Sequence, residues 1–164
     1  MPRPETAIIR DFTDADARAV IDLARELQAH EIEVFDRMKP ADTIGGWYVD
    51  KLQADVAEHG GAILVADCAG ELAGYATFLA SASSVDEADE TLYTYALIGD
   101  LAVAERFRRS GIGSLLMAEC ERRAVAAGQK WLRLNVLAGN ASARRFYARH
   151  GMGELLLTLE KPLA

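Results

Sequence analysis

Six residues constrain this chain more than any others. Arg108-Arg109-Ser110-Gly111-Ile112-Gly113 follow a run rich in β-branched and aromatic residues, Thr91 to Val103. They open an apolar stripe at helical spacing, Ile112, Leu116, Cys120, Ala124 and Ala127. A strand, a tight glycine turn and a helix must therefore succeed one another here. The first N–H groups of a helix lack internal partners and carry about half a positive charge. Gly111 and Gly113 remove side chains, so an anion can approach those groups, and Arg106, Arg108 and Arg109 add charge. The pattern reads as a phosphate cradle; a glycine turn with incidental arginines is the alternative. It is not a Walker loop, since no Gly-Lys-Ser/Thr follows. Nor is it a dinucleotide fingerprint, since Leu116 stands where the third glycine would fall.

Charge is distributed unevenly around this element. The 164 residues hold 18 Lys+Arg against 25 Asp+Glu, a net charge of -7. Between Glu105 and His150, however, there are ten Lys/Arg and only three Asp/Glu. A basic segment in an acidic background suits one anionic and one cationic ligand. An acidic chain without a basic tail argues against nucleic acid as a partner. A hydrophobic fraction of 51% suffices for a core and disfavours disorder. The length suggests a single domain over residues 1–164, as domains run to about 100–200 residues. Cys68 and Cys120 lie too far apart for a redox pair, and His30, His59 and His150 are scattered, so no metal site is expected. No apolar run resembles a signal peptide or a membrane span, which makes no membrane association and a cytoplasmic location the expectations.

The remaining pattern predicts an order of elements. A short strand at Thr6–Arg10 precedes a helix over Asp14–His30, capped by Thr13 and Asp16. A second helix is expected over Asp42–Glu58. Strands at Ala62–Asp67 and Glu71–Ala80 form a hairpin, followed by an acidic loop, Ser81–Glu90. After the strand to Val103 and the helix over Gly111–Ala127 come a strand at Trp131–Leu137, a helix at Asn140–His150 and a last strand at Glu154–Lys161. Gly99 inside its strand marks a bulge or a close approach. Strands mixed with helices in this order indicate an α/β fold, a mixed sheet with helices on both faces.

At this point the sequence resembles the GNAT superfamily of N-acetyltransferases. The family's R/Q-x-x-G-x-G/A motif is matched at Arg108, Gly111 and Gly113. Its N-x-x-A-x-x-F-Y segment is matched at Asn140, Ala143, Phe146 and Tyr147, with Gly151-Met152 beyond. The resemblance covers nearly the whole chain. It implies a central mixed, mostly antiparallel sheet of about six or seven strands, splayed between the fourth and fifth. It also implies acetyl-CoA as acetyl donor. The pyrophosphate would lie on the loop and helix start, Arg108, Arg109, Ser110, Gly111, Ile112, Gly113 and Ser114. The pantetheine arm would lie along Leu101, Ala102 and Val103, with Asn140 and Tyr147 also at the cofactor.

By the same resemblance, Tyr147 is the donor to the departing thiolate, with a core aromatic as its other reading. Asn140 either bonds the cofactor or caps its helix. Some members place Glu on the strand before the loop, but here Leu97, Ile98 and Gly99 occupy it and the first acid is Asp100. Asp100 is a candidate to bind or deprotonate the acceptor, or a structural strand-end residue. The acceptor pocket would form between the first two helices, where Glu31, Phe35 and Trp47 suit a cationic amine. The expected activity is acetyl transfer to a primary amine, with a small cationic acceptor, by direct attack in a ternary complex. A protein N-terminal acetyltransferase and a non-catalytic acyl-CoA sensor are the alternatives. Members are often homodimers, and no feature of the sequence decides that state.

Overall fold

Strands pair in the order in which the chain makes them. The computed structural model describes residues 7–84 and 91–163. Within these lie β1 (Ala7–Asp11), α1 (Ala17–Ile32), α2 (Gly46–His59), β2 (Gly61–Cys68), β3 (Glu71–Ser83), β4 (Thr94–Val103), α3 (Ile112–Ala126), β5 (Leu132–Leu134) and α4 (Ala141–Arg149). The sheet order is β1-β2-β3-β4-β5. The first three pairings are antiparallel and the last is parallel. Helices cover both faces, α1 and α2 packing together against β3, and α3 against β1 to β4. This is the expected mixed, mostly antiparallel α/β sheet.

Residue choice explains the layers. Successive strand side chains alternate faces, so Gly74 and Tyr75 of β3 serve opposite layers. A methyl group at Gly74 would stand 2.6 Å from the carbonyl oxygen of Ala102 and 3.4 Å from both Ile112 and Leu116. The missing side chain lets α3 settle on the sheet. Ile112, Leu116, Met117, Cys120 and Ala124 bury that helix's stripe; Ala127, expected to extend it, is exposed. Val20, Leu23 and Ala24 bury α1, and Val49 and Leu52 bury α2. Both cysteines are buried, and burial pushes the Cys120 thiol up to about 12.

The sequence and the structure part in several places. The strand expected at Trp131–Leu137 is confined to Leu132–Leu134, because pairing with β4 ends there, and the helix expected from Asp42 begins at Gly46, after a separate turn at Ala41–Thr43. Ser81–Ser83, expected to open the acidic loop, instead extend β3, while Asp86, Glu87, Asp89 and Glu90 lie outside the described residues. The last strand expected at Glu154–Lys161 does not form, so the described sheet has five strands rather than six or seven. The leucine-rich composition there is strand-like, but a strand exists only where a neighbour supplies hydrogen bonds. Among the described residues, no backbone hydrogen bond reaches residues 153–163.

The start of α1 is tied to the sheet by a charge network. Arg10 on β1 donates to both oxygens of Asp16, at 2.8 and 2.9 Å, and to Asp67 on β2 at 3.0 and 3.1 Å. Asp16 also accepts from the Thr13 amide (2.8 Å) and hydroxyl (3.0 Å), which realises the expected cap. The Arg10 bonds, opposed by burial and aided by Thr13, hold the Asp16 carboxyl down at about 2, below its ordinary 3.8. Its folded-state value being depressed, Asp16 contributes fully above pH 3.8 and loses that contribution as pH falls through 2. Asp16→Asn should therefore lower the unfolding free energy by about 2 kcal/mol at neutral pH. Urea melts of the two proteins should converge as the pH is taken down that interval.

Candidate functional site

A cleft opens where two paired strands part. β4 and β5 are in register at Ala96–Leu132, Leu97–Arg133 and Ile98–Leu134, and pairing stops there. β4 runs on to Val103, still paired with β3 at Leu101, Ala102 and Val103. The β5 chain turns away through Asn135, Val136 and Leu137. The opening between these arms is lined by Ile98, Gly99, Asp100 and Leu101 on one side and Asn135, Val136 and Leu137 on the other. Leu27, Glu31, Asn140, Ala143 and Tyr147 complete it, around about 460 Å³ of open space. The expected splay between the fourth and fifth strands is present. A second hollow, beside Phe12, Gln53 and Val56, has only Asp11 as an ionisable group. That carboxylate is exposed and already paired with Arg123 at 2.5 Å.

Asp100 is held by two phenols. Tyr48 of α2 donates to its Oδ2 at 2.6 Å and Tyr75 of β3 donates to the same oxygen at 2.9 Å. Tyr75 is placed by strand register. It faces Ala102, so Asp100 is its diagonal neighbour on the same face, within reach of a long side chain. Between Ala76–Leu101 and Phe78–Ile98 the register slips, with Gly99 and Asp100 opposite Thr77 alone. This bulge is the irregularity that Gly99 signalled. Burial first, then the charge of Asp100, raises both phenols well above their ordinary value, so they remain donors at any working pH.

Glu31 of α1 faces the same space. Burial, and then the nearby charge of Asp100, raises its pKa above the usual carboxylate range. Two carboxylates in one cleft make a site that favours a cation. Tyr147, near the end of α4, has its phenol pushed up to about 12 by burial, then by Asp100 and Glu31. It is thus protonated and able to donate.

The glycine loop lies at the far end of β4. Gly111 has φ +91 and Arg109 has φ +62, both left-handed, which turns the chain into α3. Among the described residues, the amides of Ile112, Gly113 and Ser114 have no main-chain acceptor; the first such bond of the helix is Leu115 N–H to Gly111, at 3.1 Å. The Arg108 amide, by contrast, is engaged with Glu105 at 3.2 Å, which removes it from the free donors. Its side chain donates to the Val103 carbonyl at 3.2 Å. Ser110 Oγ donates to the Phe107 carbonyl. Among the described residues Arg108 and Arg109 form no ion pair. Arg106, Arg122, Arg123 and Arg144 do, with Glu71, Glu119, Asp11 and Glu154. Positive charge unmatched by a carboxylate therefore remains at the loop. A methyl group at Gly113 would meet the Phe146 ring at 3.1 Å and Val103 at 3.7 Å, so this glycine lets α4 close against the loop.

Of the residues expected from the sequence, Asp100, Glu31, Tyr147, Asn140 and Leu101 share the cleft. Ala102 and Val103 continue the strand from the cleft towards the loop. Asn140 is buried and caps α4, accepting from the Ala143 amide at 3.1 Å. Phe35 and Trp47 are not in the lining. Phe35 lies beneath the Arg37 guanidinium, at 4.6 Å, and Trp47 is exposed, donating to the Thr43 carbonyl at 2.9 Å. The neighbouring Tyr48 is turned inward instead. Tyr75 was not singled out by the sequence. Its signal was a phenol within the mostly apolar run Leu72–Ala80, where a buried hydroxyl usually finds a partner.

Comparison with known proteins agrees with this geometry. The model of the acetyltransferase (GNAT) family matches residues 24–152, and the chain belongs to that family. A mutant of the BH1408 protein from Bacillus halodurans superposes with a TM-score of 0.84 at 25% identity, over 96% of this chain and 99% of that one. An acetyltransferase from Trypanosoma brucei shares the fold with a TM-score of 0.67 at 15% identity, over 96% and 99% of the two chains. An aminoglycoside acetyltransferase from an uncultured soil metagenomic sample shares it with 0.66 at 19%, over 98% of each. No curated protein matches the sequence. Among the described residues there is no cluster able to hold a metal ion and no helix long and apolar enough to cross a membrane.

The clamp on Asp100 has a measurable strength. Hydrogen bonds to charged groups are worth about 1.5–3 kcal/mol. Tyr48→Phe and Tyr75→Phe should each lower stability by about that amount, read from urea melts. Because both bonds end on one oxygen, the double variant should fall short of, or exceed, the sum of the singles.

Proposed function

We propose that the protein moves an acetyl group from acetyl-CoA to a primary amine on a small cationic acceptor, by direct attack in a ternary complex. The observation that carries this reading is the pairing of Glu31 and Asp100 in one cleft beside the Tyr147 phenol, at the head of the strand that leads into the glycine loop. The donor is anionic at one end and a thioester at the other. The free amides of Ile112, Gly113 and Ser114, with Arg108 and Arg109, suit its pyrophosphate. The open edge of β4 from Leu101 to Val103 suits its amide-bearing arm, and the cleft suits the thioester.

In this reading Asp100 binds the acceptor ammonium, with its own position held by Tyr48 and Tyr75. Glu31, whose raised pKa makes it a stronger base than a solvated carboxylate, takes one proton from that ammonium. The amine lone pair forms the new C–N bond and the C–S bond breaks. The departing thiolate takes the proton of the Tyr147 phenol, and the second nitrogen proton, lost as the neutral amide forms, passes back to the Tyr147 phenolate. Asn140, engaged as a helix cap, orients α4 and so Tyr147. The abundance of acetyl-CoA in the cytoplasm makes that compartment the fitting one.

Thiol release against polyamines, aminoglycosides, amino acids and short peptides tests the proposal. A cationic small amine should be the best acceptor, and absence of acetyl-CoA binding by calorimetry would refute the reading. Tyr147→Phe should lower kcat by about 10²-fold with little change in acetyl-CoA affinity. Glu31→Gln should lower kcat by about 10²-fold, as expected for loss of the base, and leave the KM for acetyl-CoA unchanged. Gly111→Trp should abolish acetyl-CoA binding while the fold survives, since nothing lies within 4 Å of the side-chain position and the positive φ costs only about 1–2 kcal/mol.

A further inference from the structure

Of the three histidines, one reaches from its own helix to another. His30 of α1 lies 3.9 Å from Glu33, and His59 Nδ1 lies 3.0 Å from the Asp55 carbonyl of its own helix. His150, at the end of α4, places Nε2 3.0 Å from Ser114 Oγ on α3. The reaction proposed above gives this contact no part.

The His150 ring is held in place. Phe146, one turn earlier on the same helix, lies against it with ring centroids 4.6 Å apart. Phe146 itself closes on Gly113, where an added methyl group would meet it at 3.1 Å. The His150 amide bonds to the Tyr147 carbonyl at 3.0 Å, and Gly151, with φ +77, ends the helix directly after it. The last turn of α4 is thereby seated on the first turn of α3, Phe146 on Gly113 and His150 on Ser114.

Ser114 stands where a hydroxyl can meet an anion. Its amide, like those of Ile112 and Gly113, has no main-chain acceptor among the described residues. Helical Cα–Cβ bonds tilt towards the N-terminus, so Oγ leans to the end at which those amides point. Ser110, the other hydroxyl of the loop, already donates to the Phe107 carbonyl. Ser114 Oγ has one proton to give. Given to His150, it leaves only lone pairs for an anion. If His150 instead carries its proton on Nε2 and donates, the Ser114 proton is available to a phosphate oxygen.

We infer that His150 is a positioning residue for the donor: it donates from Nε2–H to Ser114 Oγ and so directs the Ser114 hydroxyl at the pyrophosphate of acetyl-CoA. The inference rests on the acetyl-CoA reading above. His150 acts through Ser114, without itself touching the donor or the reacting groups.

Calorimetry with acetyl-CoA on the full chain and its variants tests it, together with proton–nitrogen correlation spectra of the histidine rings. His150→Ala and Ser114→Ala should each weaken binding about three- to tenfold. His150→Gln, which keeps an N–H donor at a similar reach, should restore it. The double variant with both alanines should bind no more weakly than Ser114→Ala alone. In the native chain with acetyl-CoA bound, the His150 proton should sit on Nε2.

Unchanged affinity in His150→Ala overturns the inference, as does a Gln variant no tighter than the Ala variant. An additive loss in the double variant also overturns it, since the ring would then bind the donor directly. A bound-state proton on Nδ1 alone does the same. A native chain that binds no acetyl-CoA refutes the reaction and this inference together, whereas native binding with unaffected variants refutes only the inference. The spectrum is taken on the native chain, so an answer is obtained even if the substitutions disturb folding.

Discussion

Everything at the cleft depends on where one strand pairing ends. While β4 and β5 stay in register, main-chain groups satisfy one another and leave no room. After Ile98 and Leu134 the partners separate, and β4 continues alone on that side to Val103. The parting exposes main chain on one wall and admits side chains from α1 and α4 to the other. The bulge at Gly99 and Asp100 lies at the fork, opposite Thr77. A carboxylate is thus presented at the point where a buried sheet becomes an open surface.

Burying charge near that fork has a cost that neighbouring groups offset. Asp100 is served by two phenols, one from a helix and one from the next strand. Glu31 has no such donor among the described residues, and burial raises its pKa. Two carboxylates in one cleft thus acquire different characters from their partners alone. On the opposite side of the molecule the Arg10, Asp16 and Asp67 network follows the other regime, with opposite charges in contact and a depressed acid.

Much of this was readable before any coordinates. The strand, glycine turn and helix around Gly111 and the capped start of α1 at Thr13 follow from residue type and spacing, whereas Glu31, Asp100, Asn140 and Tyr147 as neighbours followed from the family resemblance. The clamp from Tyr75 did not, because it depends on a diagonal relation between strands whose register bulges. Phe35 and Trp47 were expected at the acceptor side because aromatics suit cations, yet residue type does not set direction, and Tyr48 turned inward instead. The charge count pointed to the loop but included Arg122 and Arg123, which Glu119 and Asp11 neutralise. The leucines after Glu154 have strand chemistry without a strand, since pairing is a property of two segments and only one is visible in a local reading.

Both phenols that hold Asp100 end on Oδ2. A carboxylate oxygen has two lone pairs, so Oδ2 is saturated, while Oδ1 accepts from no donor among the described residues. A guanidinium in the two-oxygen geometry that Arg10 makes with Asp16 would have to displace a phenol. A single N–H needs only Oδ1. In the proposed reaction, Asp100 would therefore select by denticity, favouring one-point donors such as ammonium groups over guanidinium groups in the two-oxygen geometry, although the two kinds carry the same charge.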